Sequence, residues 1–278
     1  MKNIKPIILS IIFAVFALAS CDIVEPPYIQ GGGGNGGSDT TIVGEVMSKV
    51  LLEDFTGVKC VNCPAATELA LQLHEVYGDR LVIMGIHAGF MATPIGPNSD
   101  FRTPEGTAWW NFFGFDANPI GTVNRKSSSN GYGINSGEWG DAISQALEQE
   151  PQALLEMQCS YDQTSRVINV DVNTKVLVDQ LDNLSLTVCV VEDSVVGRQL
   201  LPSGMVEDYV HRHVFRGTMN GEWGESLGNS PFASGTEVKK SYQYTLPEAY
   251  NADNCSVIAY VYRDTDKGVI QVEETHLK

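Results

Sequence analysis

The sequence predicts an α/β domain followed by an all-β antiparallel domain, and three observations carry that reading. A Cys-x-x-Cys, Cys60-Val-Asn-Cys63, lies between the apolar, β-prone run 46–55 and a helical stripe of Ala66, Leu69, Ala70, Leu73, Val76 and Tyr77. Leu81-Val-Ile-Met-Gly-Ile-His87 then reads as a buried strand. Beyond Pro151 the hydrophobic period falls from 3.6 to 2, most cleanly where Ile168, Val170, Val172, Thr174 and Val176 alternate with Asn169, Asp171, Asn173 and Lys175.

The two cysteines differ in placement. Extending the helical stripe back by three residues lands on Cys63, which is expected to face the sheet. Cys60 is expected at the solvent side of the helix N-terminus, where the helix dipole favours thiolate. Asp54, six residues before Cys60 on the incoming strand, is placed to take the proton of Cys63. Such an asymmetric pair suits thiol–disulfide exchange, with Cys60 attacking and Cys63 resolving. Two other readings stay open: a structural disulfide, and a zinc half-site, which needs two further ligands that no nearby Cys or His pair supplies.

Leu52-Glu-Asp-Phe55 followed by Cys60-Val-Asn-Cys-Pro64 resembles the active-site strand, loop and helix of the thioredoxin fold. The resemblance implies a cis-proline facing the dithiol, and Pro119, within Asp116-Ala-Asn-Pro-Ile-Gly-Thr-Val-Asn124, is its match. Lys59 stands where the family carries a tryptophan. The long interval from Cys63 to Pro119 implies an insertion, assigned to 88–116. Pro94, Gly96 and Pro97 break that insertion, and Thr103-Pro104 reads as the start of a helix carrying Trp109, Trp110, Phe112 and Phe113. This aromatic cluster reads as core, or as a surface for extended polypeptide near the dithiol. Ile143, Ala146 and Leu147 mark a closing helix, so the first domain is assigned to 45–150.

The second domain, 151–278, is read as an antiparallel sandwich of the immunoglobulin-like kind, with strands over 153–161, 168–176, 184–192, 209–216, 238–246, 255–262 and 269–275. Cys159 and Cys255 fall on apolar faces, and with Cys189 they leave an odd number to pair. His211 and His213 fall on one face of the 209–216 run and are candidate metal ligands lacking an evident third. Packing as a polar seam is the other reading. The sequence carries no cofactor-binding motif.

The N-terminus is a targeting segment. Lys2 and Lys5 precede an apolar run too short to span a bilayer, so 1–20 reads as a signal peptide. Leu18-Ala-Ser-Cys21 resembles the bacterial lipobox, which makes Cys21 the acylated anchor. Residues 21–44, with Gln30-Gly-Gly-Gly-Gly-Asn-Gly-Gly-Ser38, form a tether whose reach is about 26 Å. Losing Lys2 and Lys5 with no acid takes the net charge from −16 to −18, which argues against nucleic acid as a partner.

Taken together, the lipobox, the Gly-rich tether, Phe55-Thr-Gly-Val-Lys-Cys-Val-Asn-Cys-Pro64, Asn118-Pro-Ile-Gly-Thr-Val-Asn-Arg125 and His211-Arg-His213 resemble the Omp28-type, thioredoxin-like lipoprotein family of the Bacteroidetes group. That resemblance implies an outer-membrane lipoprotein, with the membrane and envelope or surface proteins as partners. It supplies no established reaction. Two functions follow as expectations: thiol–disulfide exchange at Cys60, Cys63, Asp54 and Pro119, or a non-enzymatic binding or adhesion module with a structural disulfide. The anchor itself is testable: Cys21→Ala should move the protein from the membrane to the soluble fraction on differential centrifugation.

Overall fold

The computed structural model describes residues 46–278; the leader 1–20, Cys21 and the tether 21–44 lie outside them. The first half runs β1 (Val50–Thr56), α1 (Cys63–Tyr77), β2 (Leu81–His87), α2 (Pro104–Phe113), β3 (Ile120–Val123) and α3 (Trp139–Leu147). The second half is all strand: β4 (Ala153–Asp162), β5 (Val167–Val176), β6 (Leu184–Glu192), β7 (Val195–Leu201), β8 (Gly204–His211) and β9 (Val214–Thr218). It closes with β10 (Glu225–Ser226), β11 (Glu237–Thr245), β12 (Cys255–Arg263) and β13 (Val269–His276).

β1 pairs parallel with β2 and antiparallel with β3, which is the βαβ unit and returning strand expected around a Cys-x-x-Cys. Helix α2 starts where the sequence placed it. The Thr103 hydroxyl accepts from Gly106 N–H, Pro104 fills the first turn, and Gly114 closes the helix at φ +71°. In α1 the buried positions are Cys63, Ala66 and Ala70, whereas Val76, counted in the expected stripe, is 74% exposed.

The strands after 151 do not keep to a sheet of their own. An eight-stranded sheet runs β13-β12-β6-β9-β2-β1-β3, with β10 on β6, so the dithiol half and the C-terminal half share it. The join is narrow: Gly85 of β2 pairs with Val214 of β9, and Gly85 N–H donates to His213 C=O at 2.8 Å. A second sheet, β11-β5-β4, packs face to face on β6 and β12 through Ile168, Val170 and Val172 against Val188, Val190, Val257 and Ala259. The other face of β6 and β12 carries Cys189, Val191, Ile258 and Tyr260 against Trp109, Trp110 and Phe113 of α2. β6 and β12 are therefore enclosed on both sides, which explains runs such as Leu184-Ser-Leu-Thr-Val-Cys-Val-Val191 that do not alternate. Helices α1 and α3 cover β1–β3 from the side opposite α2, through Ala66, Ala70, Trp139 and Ile143.

One expected strand divides. The run 209–216 is β8 and β9, separated at Arg212–His213, where His213 has φ +49°. β8 instead pairs with β7 in a two-stranded hairpin that turns at Pro202–Gly204.

At the centre sits a buried ion pair. Arg125 Nη2 and Nε contact Glu53 Oε1 and Oε2 at 2.6 and 2.9 Å, with both side chains fully enclosed. Thr122 Oγ1 donates to Glu53 at 2.7 Å, and Arg125 Nη2 donates to the Tyr260 hydroxyl at 2.8 Å. Trp109 and Tyr260 lie 4.9 and 4.8 Å from the guanidinium carbon, and Phe113, Trp223 and Tyr262 lie within 5.8 Å. Burial works against the cation, and Glu53 together with Tyr260 and Tyr262 more than offsets it, so Arg125 stays charged. Removing one partner of such a pair costs about 3–5 kcal/mol. Arg125→Met should show that loss in urea unfolding, and adding Glu53→Met should return part of it, because the two positions share one interaction.

Candidate functional site

Strand β1 delivers Thr56 to Asn62 as a tight loop, and α1 begins at Cys63 with Pro64 in its first turn. Cys60 N–H donates to Gly57 C=O at 3.0 Å and Cys63 N–H to Cys60 C=O at 3.3 Å, so the backbone folds the two cysteines together. They form a disulfide with a Cα separation of 5.4 Å. Asn62 gives α1 no side-chain cap, and the first turn is closed instead by Cys63 N–H to Cys60 C=O and Ala66 N–H to Asn62 C=O, with Pro64 bringing no N–H.

Cys63 faces inward as expected, at 1% exposure; Cys60 is only 3% exposed, against the expectation that it faces solvent. Two pieces of chain cover it, both invisible to the local helical pattern. From the insertion, Met91 C=O accepts from Lys59 N–H at 2.8 Å. A side chain at Gly57 would meet Met91 and Ala92 backbone at 2.4–2.5 Å, so this approach requires glycine. From the β7–β8 hairpin, Leu200 N–H donates to Val58 C=O at 2.9 Å. The Gln199 amide donates to Cys60 C=O at 3.0 Å. At the rim Phe90, Met91 and Val61 remain exposed, with the Lys59 ammonium 5.1 Å from the Phe90 ring centre.

Asp54 is buried at 2% exposure on the α1 face of β1. Its Oδ2 accepts from Thr67 Oγ1 at 3.1 Å, and Thr67 lies one turn after Cys63, so the carboxyl sits below the inner cysteine. Oδ1 has no partner. Burial pushes the Asp54 carboxyl up to about 7, with the Thr67 bond opposing. Pro119 follows a cis peptide and opens β3 at the end of β1 nearest the dithiol loop. Asn118 Nδ2 fixes it there by donating to Phe55 C=O at 2.9 Å.

His211 and His213 part company. His211 ends β8 beside His87 and Phe101, with ring centres 5.3 and 4.7 Å away. His213 lies in the turn after it and faces His74 at 6.4 Å across another cleft. The shared strand face expected for a metal pair does not exist, because the chain turns between them. Among the described residues no three His, Cys, Asp or Glu side chains are placed to hold a metal ion. Cys159, Cys189 and Cys255 are free thiols. Burial pushes Cys159 up to about 11 and Cys255 up to about 12, which makes both poor nucleophiles. The aromatic helix is core, with Trp109, Trp110 and Phe113 buried and Phe112 exposed.

Sequence reasoning missed Gln199 as a neighbour of the dithiol loop, and Tyr209, His211 and His87 as lining a small cavity with Pro64 and Thr67 of α1. Leu201-Pro-Ser-Gly204 between two β-prone runs was the available hairpin signal.

Comparison with known proteins places the fold. HBP35 of Porphyromonas gingivalis superposes with a TM-score of 0.67 at 17% identity, covering 83% of this chain and 76% of its own. A protein from Agrobacterium tumefaciens follows at TM-score 0.51 and 13% identity, covering 84% and 96%. A domain of the outer membrane lipoprotein Omp28 from Porphyromonas gingivalis is 23% identical over 47% of this chain and 91% of its own, at a TM-score of 0.34. No curated protein matches the sequence. A model of the family described as outer membrane protein Omp28 matches residues 107–278, a span that takes in Pro119, Arg125 and the hairpin and leaves out the dithiol. That span is well over half of the 278 residues, and the chain belongs to the Omp28 family of outer membrane proteins.

Proposed function

We propose that this chain is a thiol–disulfide oxidoreductase of the outer membrane, held there by acylated Cys21 and acting on disulfides of envelope or surface proteins. The observation that carries the reading is the buried carboxyl of Asp54 beneath the inner cysteine of a Cys-x-x-Cys at a helix N-terminus. In this reading 45–150 is the thioredoxin-like part and 151–278 an immunoglobulin-like sandwich. Cys60 attacks a substrate disulfide, Cys63 passes its proton to Asp54 and displaces the reduced substrate, and Pro119 shapes the groove.

A second reading is favoured by the enclosure of both sulfurs, at 3% and 1% exposure: a binding or adhesion module in which the bridge is structural. The reduction potential separates the two. Exchange fits a value between about −270 and −120 mV, whereas a structural bridge falls below about −300 mV. In the native host, Cys63→Ser should accumulate mixed disulfides that vanish on reduction, and Cys60→Ser should not. Absence of adducts with Cys63→Ser, beside a control oxidoreductase that traps partners, would favour the binding module.

Asp54 also makes stability depend on pH in a definite direction. Its folded value, about 7, lies above the ordinary carboxylate value of 3.8, so the folded state binds the extra proton between them. Stability contributed by the protonated carboxyl is present below about pH 4 and is lost as pH rises through 7. At 1.36 kcal/mol per unit the loss is about 4 kcal/mol. Asp54→Asn keeps the Thr67 partner and removes the titration. It should be more stable than the parent at pH 8 in urea unfolding and no more stable at pH 4.

A further inference from the structure

Lys59 stands immediately before Cys60, and its half-buried side chain folds back over the turn Phe90–Ala92. The ammonium donates to Thr93 Oγ1 and lies 5.1 Å from the Phe90 ring centre. Thr93 Oγ1 spends its own hydrogen on Phe90 C=O at 2.8 Å, so a lone pair is what it offers the lysine. Ring and hydroxyl together fix the charge at the rim of the dithiol loop, where a free lysine would sample many rotamers.

That charge is left with capacity to spare. An ammonium has three N–H donors, and Thr93 takes one of them. Among the described residues no acid pairs with Lys59, although the chain has 34 Asp and Glu against 18 Lys and Arg. Lys49, Lys175, Lys240, Lys267 and Lys278 each have an acid partner. Beside the ammonium Val61, Phe90 and Met91 are 38%, 73% and 38% exposed, an apolar rim next to Cys60. A carboxylate arriving there gains a charge-assisted hydrogen bond from the unused donors. An arriving cation meets like charge, on a ring face that Lys59 already occupies.

We propose that Lys59 selects the disulfide that Cys60 attacks, favouring a cysteine with an acidic neighbour and an apolar neighbour that lies on the Val61–Phe90–Met91 rim. This rests on the exchange reading above and adds a substrate class to it, extended segments of polypeptide that are acidic around the cysteine. In the step concerned the Cys60 thiolate bonds to one substrate sulfur. The substrate disulfide breaks, and its second sulfur leaves with the electron pair as a thiolate. The substrate disulfide is the oxidant, and the Cys60–Cys63 dithiol is the reductant. Lys59 moves no proton; it holds the substrate carboxylate in place while the sulfurs react.

The test uses the full chain carrying Cys63→Ser, reduced and in detergent. Its substrates are the symmetric disulfides of two capped peptides, acetyl-Gly-Leu-Cys-Asp-Gly-amide and acetyl-Gly-Leu-Cys-Lys-Gly-amide. Formation of the Cys60 adduct is followed at neutral pH by rapid quench and mass spectrometry. Each rate is divided by that of dithiothreitol on the same peptide, which removes the intrinsic reactivity of the disulfide. The Asp peptide should react about fivefold faster than the Lys peptide, as expected for one exposed charge pair. Lys59→Gln should bring the ratio to unity, Lys59→Glu should invert it, and Lys59→Arg should keep it. Any influence of the ammonium on the Cys60 thiolate acts on both peptides alike and cancels in the ratio. A lysine that served only to hold Thr93 would change both rates by one factor in Lys59→Gln and leave the ratio as it was. That result, or a ratio of unity in the chain with Lys59 intact, would overturn the selection while leaving exchange in place. Should Lys59→Glu fail to fold by circular dichroism, Lys59→Gln decides. If neither peptide forms an adduct while dithiothreitol reduces both, the exchange reading falls and the selection falls with it.

Discussion

The Glu53–Arg125 pair is the constraint to which the rest of this fold answers. It joins five parts of the chain: β1 through Glu53, β3 through Thr122, α2 through Trp109 and Phe113, β12 through Tyr260, and the Trp223 loop. A fully enclosed guanidinium is tolerable only where charge, hydrogen bonds and aromatic faces all meet it. Asn124 and Arg125 adopt left-handed backbone at φ +49° and +52°, an uncommon conformation for non-glycine residues. That turn aims the guanidinium inward, while Asn124 exchanges hydrogen bonds with Leu51 and accepts from Val269 N–H at 2.9 Å. The strand that carries Asp54 is thus tied along its β3 edge, while its other edge pairs with β2. Glu53 and Asp54 are adjacent on it and point to opposite faces, one to the ion pair and one to the dithiol.

What the sequence revealed follows from what it encodes locally. The turn into α1, the Thr103 cap, the proline before β3 and the clean alternation of β5 are each signalled by neighbours along the chain. The three-layer packing was not legible. β6 and β12 lack alternation because both faces are buried, and a single strand gives no sign of which layer lies on which side. The exposure of Cys60 failed for the same reason, since its cover comes from about 140 residues downstream through Gln199 and Leu200. His211 and His213 looked like a pair because strict alternation was carried across a turn at φ +49°.

The cover over Cys60 bears directly on which function the site performs. Its ties to the dithiol loop include three that end on backbone carbonyls, Lys59 N–H to Met91, Leu200 N–H to Val58 and Gln199 to Cys60, and one from the Lys59 ammonium to the Thr93 hydroxyl. None involves a sulfur, so the cover holds alike over a disulfide and a dithiol. At a net ~1 kcal/mol for each, breaking the three carbonyl bonds alone costs about 3 kcal/mol and leaves the loop open in under about 1% of molecules. That fraction multiplies every rate of attack at Cys60, from outside or by it. A substrate that replaces those three carbonyl contacts with its own backbone recovers the cost; a small thiol does not. The enclosure that suggests a structural bridge is therefore compatible with exchange toward extended polypeptide. The two readings differ in the opening free energy of the hairpin more than in the chemistry of the cysteines it covers.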